Sequence, residues 1–146
     1  MPEAESIFTK IVMGEIPSLK VYEDELVYAF LDIGPVSCGH CLVIPKACYA
    51  TLAAVPDETA AALGRVLPRL CRAVVRATGA SGYNVLQNNG RIAHQMVDHV
   101  HFHIIPKYEQ GETSLGSGLG IGWPAGELDS GEGLKLQDAI VTALDE

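Results

Sequence analysis

Hydrophobic and polar positions alternate with period two from His99 to Pro106, His-Val-His-Phe-His-Ile-Ile-Pro. Successive side chains of a strand point to opposite faces, about 3.3 Å apart along its axis. The pattern therefore predicts a strand with Val100, Phe102 and Ile104 in the core. His99, His101 and His103 then share the other face, roughly 6.6 Å apart at each step. Pro106 has no N–H for a ladder and is expected to close the strand.

Ile7, Phe8, Ile11 and Val12 recur at helical spacing between a capping Ser6 and a stopping Gly14, which predicts a short helix over 6–13. Residues 19–24 and 26–33 read as a hairpin of β-formers around Glu23-Asp24-Glu25, broken by Gly34-Pro35. A third strand follows over 40–45. Residues 57–79 carry a stripe of Leu63, Leu67, Leu70, Val74 and Ala77, with Asp57 as cap and Gly79 as stop. Pro68 lies inside that stripe and costs about 3 kcal/mol in a helix interior, so one kinked helix and two shorter ones both remain open. Residues 82–88 and 99–106 supply strands four and five.

The fold class is thus α+β: a five-stranded antiparallel sheet with one long helix and a short N-terminal helix. Residues 1–108 form this domain. Residues 109–146 are a Gly-rich extension, expected to pack on the same domain, with Trp123-Pro124 as an anchor. Helical spacing resumes over 132–144 through Leu136, Ile140 and Leu144. There is no internal repeat.

Composition narrows the class. A chain 48% hydrophobic and 19% charged is globular rather than disordered. No apolar run approaches membrane-spanning length, and the Met-Pro-Glu-Ala-Glu-Ser start has neither a basic region nor an apolar signal core. A cytoplasmic location, extending to the nucleus, is the expectation. A net charge of −8 argues against nucleic-acid or anionic-membrane partners, which need a basic patch. It leaves room for a small anionic substrate held by local donors. Cys38-Gly39-His40-Cys41 has redox spacing but enters a β-run instead of opening a helix, so free thiols in a reducing compartment are expected.

Three imidazoles in one register are costly unless used, because like charges suppress one another's protonation. Two uses fit: metal ligation, or acid–base and nucleophilic work on an anionic substrate. Gln95-Met96-Val97-Asp98 followed by the histidine run resembles the signature of the histidine triad (HIT) family of nucleotide hydrolases and transferases. Ser6-Ile7-Phe8-Thr9-Lys10-Ile11, Gly14-Glu15-Ile16-Pro17, Phe30-Leu31-Asp32-Ile33 and Gly39-His40-Cys41-Leu42-Val43-Ile44-Pro45-Lys46 fit as well. The resemblance spans residues 6–108 and points to the Hint-like branch, purine nucleoside phosphoramidases, with a fungal character.

That resemblance implies a two-step hydrolysis of purine nucleoside 5'-phosphoramidates. His101 would attack the α-phosphorus and form a covalent nucleotidyl-histidine, with its tautomer fixed by the carbonyl of His99. His103 and the backbone amides near Gln95 would donate to phosphate oxygens, while His99 and His40 orient the row. Ile7, Phe8, Ile11, Phe30 and Ile33 would form the purine slot, Asp32 would accept the ribose hydroxyls, and Asn88 would reach the sugar or phosphate edge. Read without the family, the apolar residues are core and Asp32 is a turn residue. The resemblance also implies a homodimer paired through residues 57–88 and no cofactor.

Some family members hold a structural zinc through a Cys-x-x-Cys near the N-terminus, where this chain has Ser6 and Thr9, with Cys48 alone at a further position. No metal is therefore expected. Met96 stands where the family commonly has Ser or Thr, and His94 replaces a small residue. The first change removes a donor to the leaving group. Competing readings are a dinucleoside polyphosphate hydrolase, a nucleotide-binding regulatory or scaffold protein with weak hydrolysis, and a zinc-binding domain.

Overall fold

The computed structural model describes residues 5–111 and 113–144. Residues 1–4, on which much of the expectation of no leader rests, lie outside them. The elements are α1 (Ile7–Val12), β1 (Lys20–Glu23), β2 (Val27–Leu31), β3 (Cys41–Pro45), α2 (Asp57–Thr78), β4 (Gly82–Gln87), β5 (Phe102–Lys107) and α3 (Ser130–Leu144), with short 3-10 turns at Leu52–Ala54 and Arg91–Ala93. The five strands form one antiparallel sheet in the order β1-β2-β3-β5-β4.

Asp24 shapes the first hairpin: its Oδ1 accepts the backbone N–H groups of Leu26 (2.9 Å) and Val27 (2.8 Å). Alternation along the strands then sorts the core into two clusters. Val27, Ala29, Val43 and Ile104 face α2 and pack with Ala62, Leu63, Val66 and Leu70. Tyr28, Phe30, Leu42 and Ile44 face the other way, against Phe8 of α1.

The long helix is single and carries Pro68 within it. Its buried stripe runs through Ala62, Leu63, Val66, Leu70, Cys71 and Val74, sharing Leu63, Leu70 and Val74 with the expected one, while Leu67 is only half-buried and Ala77 is exposed. Burying Leu63, Val66, Leu70 and Val74 contributes roughly 1.5–3 kcal/mol each, more than the ~3 kcal/mol that Pro68 costs. Pro68 and Gly64, whose carbonyl loses its helical donor, both lie on the exposed side, where that carbonyl is open to solvent. Pro56, not Asp57, is the N-cap residue, and Asp57 stands in the first turn, where its charge complements the helix dipole. Gly79 ends the helix at a φ of +72°, which a residue without a Cβ takes freely.

The histidine strand differs from the sequence pattern in two ways. It starts at Phe102, so His99, Val100 and His101 precede it. Val100 N–H bonds Tyr49 O (2.8 Å), so this stretch is held by the loop after β3 and not by a sheet ladder. His99 and Val100 are both fully buried, and the histidines are therefore not three members of one open strand face. Nor does Pro106 close the strand, which runs on to Lys107. The ladder with β3 ends at Cys41–Ile104, so the missing N–H of Pro106 deprives no β3 residue of a partner. Its carbonyl is taken by the Ser37 hydroxyl at 2.7 Å.

The extension divides. Its first part returns to the domain: Gly118 N–H bonds Val36 O at 2.8 Å, and Gly116, at a φ of +120°, lies so close to the Val36 carbonyl that no Cβ fits. The second part does not pack as expected. None of the residues of α3 is buried, and Leu136, Ile140 and Leu144 face solvent, as does Trp123. Among the described residues no helix is long and apolar enough to cross a membrane.

Candidate active site

Ser6 caps α1 through a capping box with Thr9: its hydroxyl accepts the N–H groups of Phe8 and Thr9, both at 3.1 Å. The same hydroxyl stands 2.6 Å from Nδ1 of His99. The helix start is thereby joined to the histidine run 93 residues away.

Hydrogen bonding fixes every tautomer in the row. His99 Nε2 faces the carbonyl of Pro45 at 2.8 Å and must donate, so its Nδ1 accepts from Ser6. His101 Nδ1 donates to the carbonyl of His99 at 2.7 Å, which leaves a lone pair on Nε2. His40 Nδ1 accepts the Val36 N–H at 3.1 Å, so His40 Nε2 carries a proton and donates it to His103 Nδ1 at 2.9 Å. His103 is left with an N–H at Nε2. Its ring centroid is 5.0 Å from that of His101, which Phe8 contacts edge-on at 5.1 Å.

All four imidazoles are held below the ordinary histidine value of 6.5, first of all by burial. For His103 the neighbouring His101 and His40 add to burial, and it falls to about 4. Asp32 opposes the trend at His40, His101 and His103 without overcoming it. The row is neutral at pH 7. Because the unfolded chain protonates these histidines near 6.5 and the folded chain only lower, the unfolded state binds more protons between those values. Stability then rises with pH across that window. The melting temperature should fall on going from pH 7 to pH 5, and His103→Asn should flatten that slope; equal slopes in thermal melts of the two proteins would contradict the assignment.

The loop 32–40 that presents His40 is tied down at several points. Tyr108 Oη donates to Cys38 O at 2.6 Å, Ser37 to Pro106, and Gly118 to Val36. Asp32 does two things at once: Oδ1 accepts the Gly34 N–H (2.8 Å) in a turn, and Oδ2 lies 3.5 Å from His40 Nε2. Asp32, His40 and His103 form a His/Cys/Asp/Glu group whose potential ligand atoms all lie within 4.8 Å of one another. Sharing an ion would require lone pairs on both His40 Nε2 and His103 Nδ1, so the proton that joins them across 2.9 Å would have to leave. Ser6 and Thr9 likewise hydrogen-bond within 3.4 Å of each other, and Cys48 Sγ donates to Asp98 O.

His40, His101, His103, Phe8, Asp32 and Asn88 line one cavity of about 360 Å³, a volume that suits a small ligand. His99 sits behind it, fully buried. Of the expected purine slot only Phe8 reaches the cavity; Phe30 backs Phe8 at 5.7 Å, Ile11 packs on the same cluster, and Ile7 is half exposed. Ile33 is 93% exposed, because the chain turns outward after Asp32. Gln95 is buried, and its side chain is committed internally: Oε1 accepts Gly90 N–H, while Nε2 donates to Ala50 O and Val97 O. Its backbone N–H bonds Gly90 O, so Gln95 braces the loop. Leu42, Leu86, Val97 and Ile105 complete the apolar wall, together with Leu119 from the extension. Alternation along β3, β4 and β5 marks the strand residues as one face; nothing in the sequence announces Leu119.

A twisted sheet carrying a row of neutral, tautomer-fixed imidazoles beside an apolar cleft defines a histidine-centred α+β domain. Residues 13–110 match the HIT domain, and the chain belongs to that family. It is 55% identical over 134 residues to adenosine 5'-monophosphoramidase hnt1 of Schizosaccharomyces pombe, covering 92% of this chain and 94% of the relative. Adenosine 5'-monophosphoramidase HNT1 of Saccharomyces cerevisiae is 47% identical over 98% of this chain and 85% of its own length. The crystal structure of a histidine triad nucleotide-binding protein from Candida albicans superposes with a TM-score of 0.84 at 44% identity, covering 97% of this chain and 98% of that one.

Proposed function

We propose that this chain hydrolyses purine nucleoside 5'-phosphoramidates, of the AMP-NH2 and AMP-lysine type, through a covalent nucleotidyl group on His101. One observation carries the reading: His101 Nδ1 donates to the carbonyl of His99, so Nε2 presents a lone pair in the cavity, and burial keeps it unprotonated. An imidazole in that state is a nucleophile at neutral pH. The yeast relatives named as adenosine 5'-monophosphoramidases support the substrate class.

In the first step Nε2 forms a bond to the α-phosphorus, and the phosphorus–nitrogen bond to the amine breaks. The amine leaves with that electron pair and takes up a proton. Water then attacks phosphorus, the Nε2–phosphorus bond breaks, and the nucleoside monophosphate departs. His103 Nε2–H donates to a non-bridging oxygen as charge develops. His40 holds that tautomer, and His99 holds that of His101. Phe8, Leu42 and Val97 offer the base an apolar wall, Asp32 accepts from the ribose hydroxyls, and Asn88 has donor capacity left for the sugar or phosphate edge. No cofactor enters this scheme. A slow, regulatory nucleotide binder is the second reading, favoured by Met96, an exposed apolar residue at the cavity rim.

Intact-protein mass spectrometry after mixing with AMP phosphoramidate tests the reading. An AMP adduct mapping to His101, with AMP released on turnover, is expected; release of AMP with no adduct on any histidine would contradict the covalent route.

The working unit in this reading is a two-fold homodimer. Strand β4 is a sheet edge, and its Tyr83 and Val85 are half exposed on the α2 side, where Val85 pairs with the buried Ile104. Uncovered apolar residues beside an open edge suit an isologous partner better than solvent. Light scattering at micromolar concentration should give twice the chain mass; a monomer would contradict it. Residues 1–108 act as the HIT unit and 109–146 as its extension. With a net charge of −8, nucleic acid and anionic membranes are poor partners, and the cytoplasm and nucleus, which keep Cys38 reduced, fit best.

A further inference from the structure

His94 is the only non-glycine residue among those described with a positive φ, at +71°. That conformation is open to glycine at no steric cost and disfavoured for a residue with a Cβ. It persists because the chain on both sides is clamped. His94 N–H bonds Arg91 O, its carbonyl accepts from Asn88 Nδ2 at 3.4 Å, and the next residue, Gln95, is fixed by its bonds to Gly90, Ala50 and Val97. A strained residue that its surroundings over-determine marks a working position more often than an accident.

The clamp puts an imidazole on the wall of the cavity that holds His101 and His103. The His94 ring is exposed, makes no hydrogen bond to the described residues, and is near enough to act electrostatically on His103. The other cavity histidines are neutral at pH 7, and none of them is an imidazolium. His101 is the lone-pair donor, His40 has committed its N–H to His103, and His103 is neutral, down at about 4. Met96, beside His94 on the rim, has no donor at all. A departing amine nevertheless needs a proton, and histidine is the side chain that exchanges one near neutral pH.

We infer that His94 is the leaving-group acid of this site. This rests on the phosphoramidase reading above. As Nε2 of His101 bonds to phosphorus and the phosphorus–nitrogen bond breaks, the amine takes a proton from the His94 imidazolium. In the second step neutral His94 recovers a proton from the attacking water, and His101 departs from phosphorus with its electron pair. The ring acts from the mouth of the cavity, where a bulky amine such as a lysine side chain would leave.

His94→Gly and His94→Asn test this, since glycine relieves the strain and asparagine tolerates it, and neither carries an exchangeable acid. Single-turnover release of the first product is measured for an AMP alkylphosphoramidate, whose amine must be protonated, and for AMP p-nitrophenyl ester, whose phenolate needs no proton. Both variants should lose on the order of 10²-fold on the phosphoramidate, at least tenfold more than on the ester, and His94→Gly should melt a few degrees higher than wild type. Equal losses on the two substrates, or none on either, would overturn the assignment. A wild-type protein that cleaves neither substrate overturns the phosphoramidase reading together with it, whereas a wild type that cleaves both while the variants match it overturns the role of His94 alone.

Discussion

His101→Ala should lower turnover of an AMP phosphoramidate by roughly 10³-fold or more, a loss of at least ~4 kcal/mol of transition-state stabilisation, while AMP still binds. The imidazole makes one hydrogen bond within the chain, to the His99 carbonyl, and itself lines the cavity, so its removal enlarges a space already open to water. Folding therefore loses little. What disappears is the lone pair on Nε2, and with it the covalent route of the proposed mechanism. Steady-state kinetics paired with nucleotide titration separates the two quantities. A variant retaining more than about a tenth of wild-type kcat, less than ~1.4 kcal/mol of loss, would remove His101 from the nucleophile role.

The neighbouring histidine should behave in the opposite way. His99 is fully buried, bonds Ser6 through Nδ1 and Pro45 through Nε2, and packs edge-on against Phe8 at 5.6 Å. His99→Ala strands the Pro45 carbonyl and leaves a ring-sized void under α1. An unsatisfied buried group costs about 1–3 kcal/mol, and the void adds to it. A destabilisation of about 3 kcal/mol is expected, seen as a fall of roughly 10 °C in melting temperature. A loss below about 1 kcal/mol in denaturant melts would show that water fills the gap and that His99 does not anchor the row. With those outcomes the two substitutions would assign chemistry to His101 and architecture to His99, although the sequence spaces them as equals.

Much of the fold was legible because it rests on local periodicity. The β1–β2 hairpin, β3, β4 and α2 all lie within a few residues of where alternation or helical spacing puts them. Pro68 was ambiguous because propensity alone counts its cost, and only the packed stripe of α2 shows that burial outweighs it. Ile33, placed in the purine slot by the resemblance, stands 93% exposed, because the direction of the chain after Asp32 is decided by the turn and not by the residue's hydrophobicity. The commitment of the Gln95 side chain was hidden for a related reason: its donors have partners at Ala50 and Val97, one of them 45 residues away.

The sequence by itself determined the α+β class, the number of strands, the long helix and the identity of the histidine run, since each depends on residues adjacent in the chain. It also marked Asp32, His40 and Asn88 through a family pattern. The tertiary structure alone decided the hydrogen-bonding state of the histidines. Tautomers are set by partners: the carbonyl of Pro45 and the hydroxyl of Ser6 for His99, the Val36 N–H for His40, and His40 for His103. Their low proton affinity comes from burial that no single segment provides. The strain at His94 is likewise invisible in composition, because a backbone angle held against its preference needs clamps from outside the residue itself.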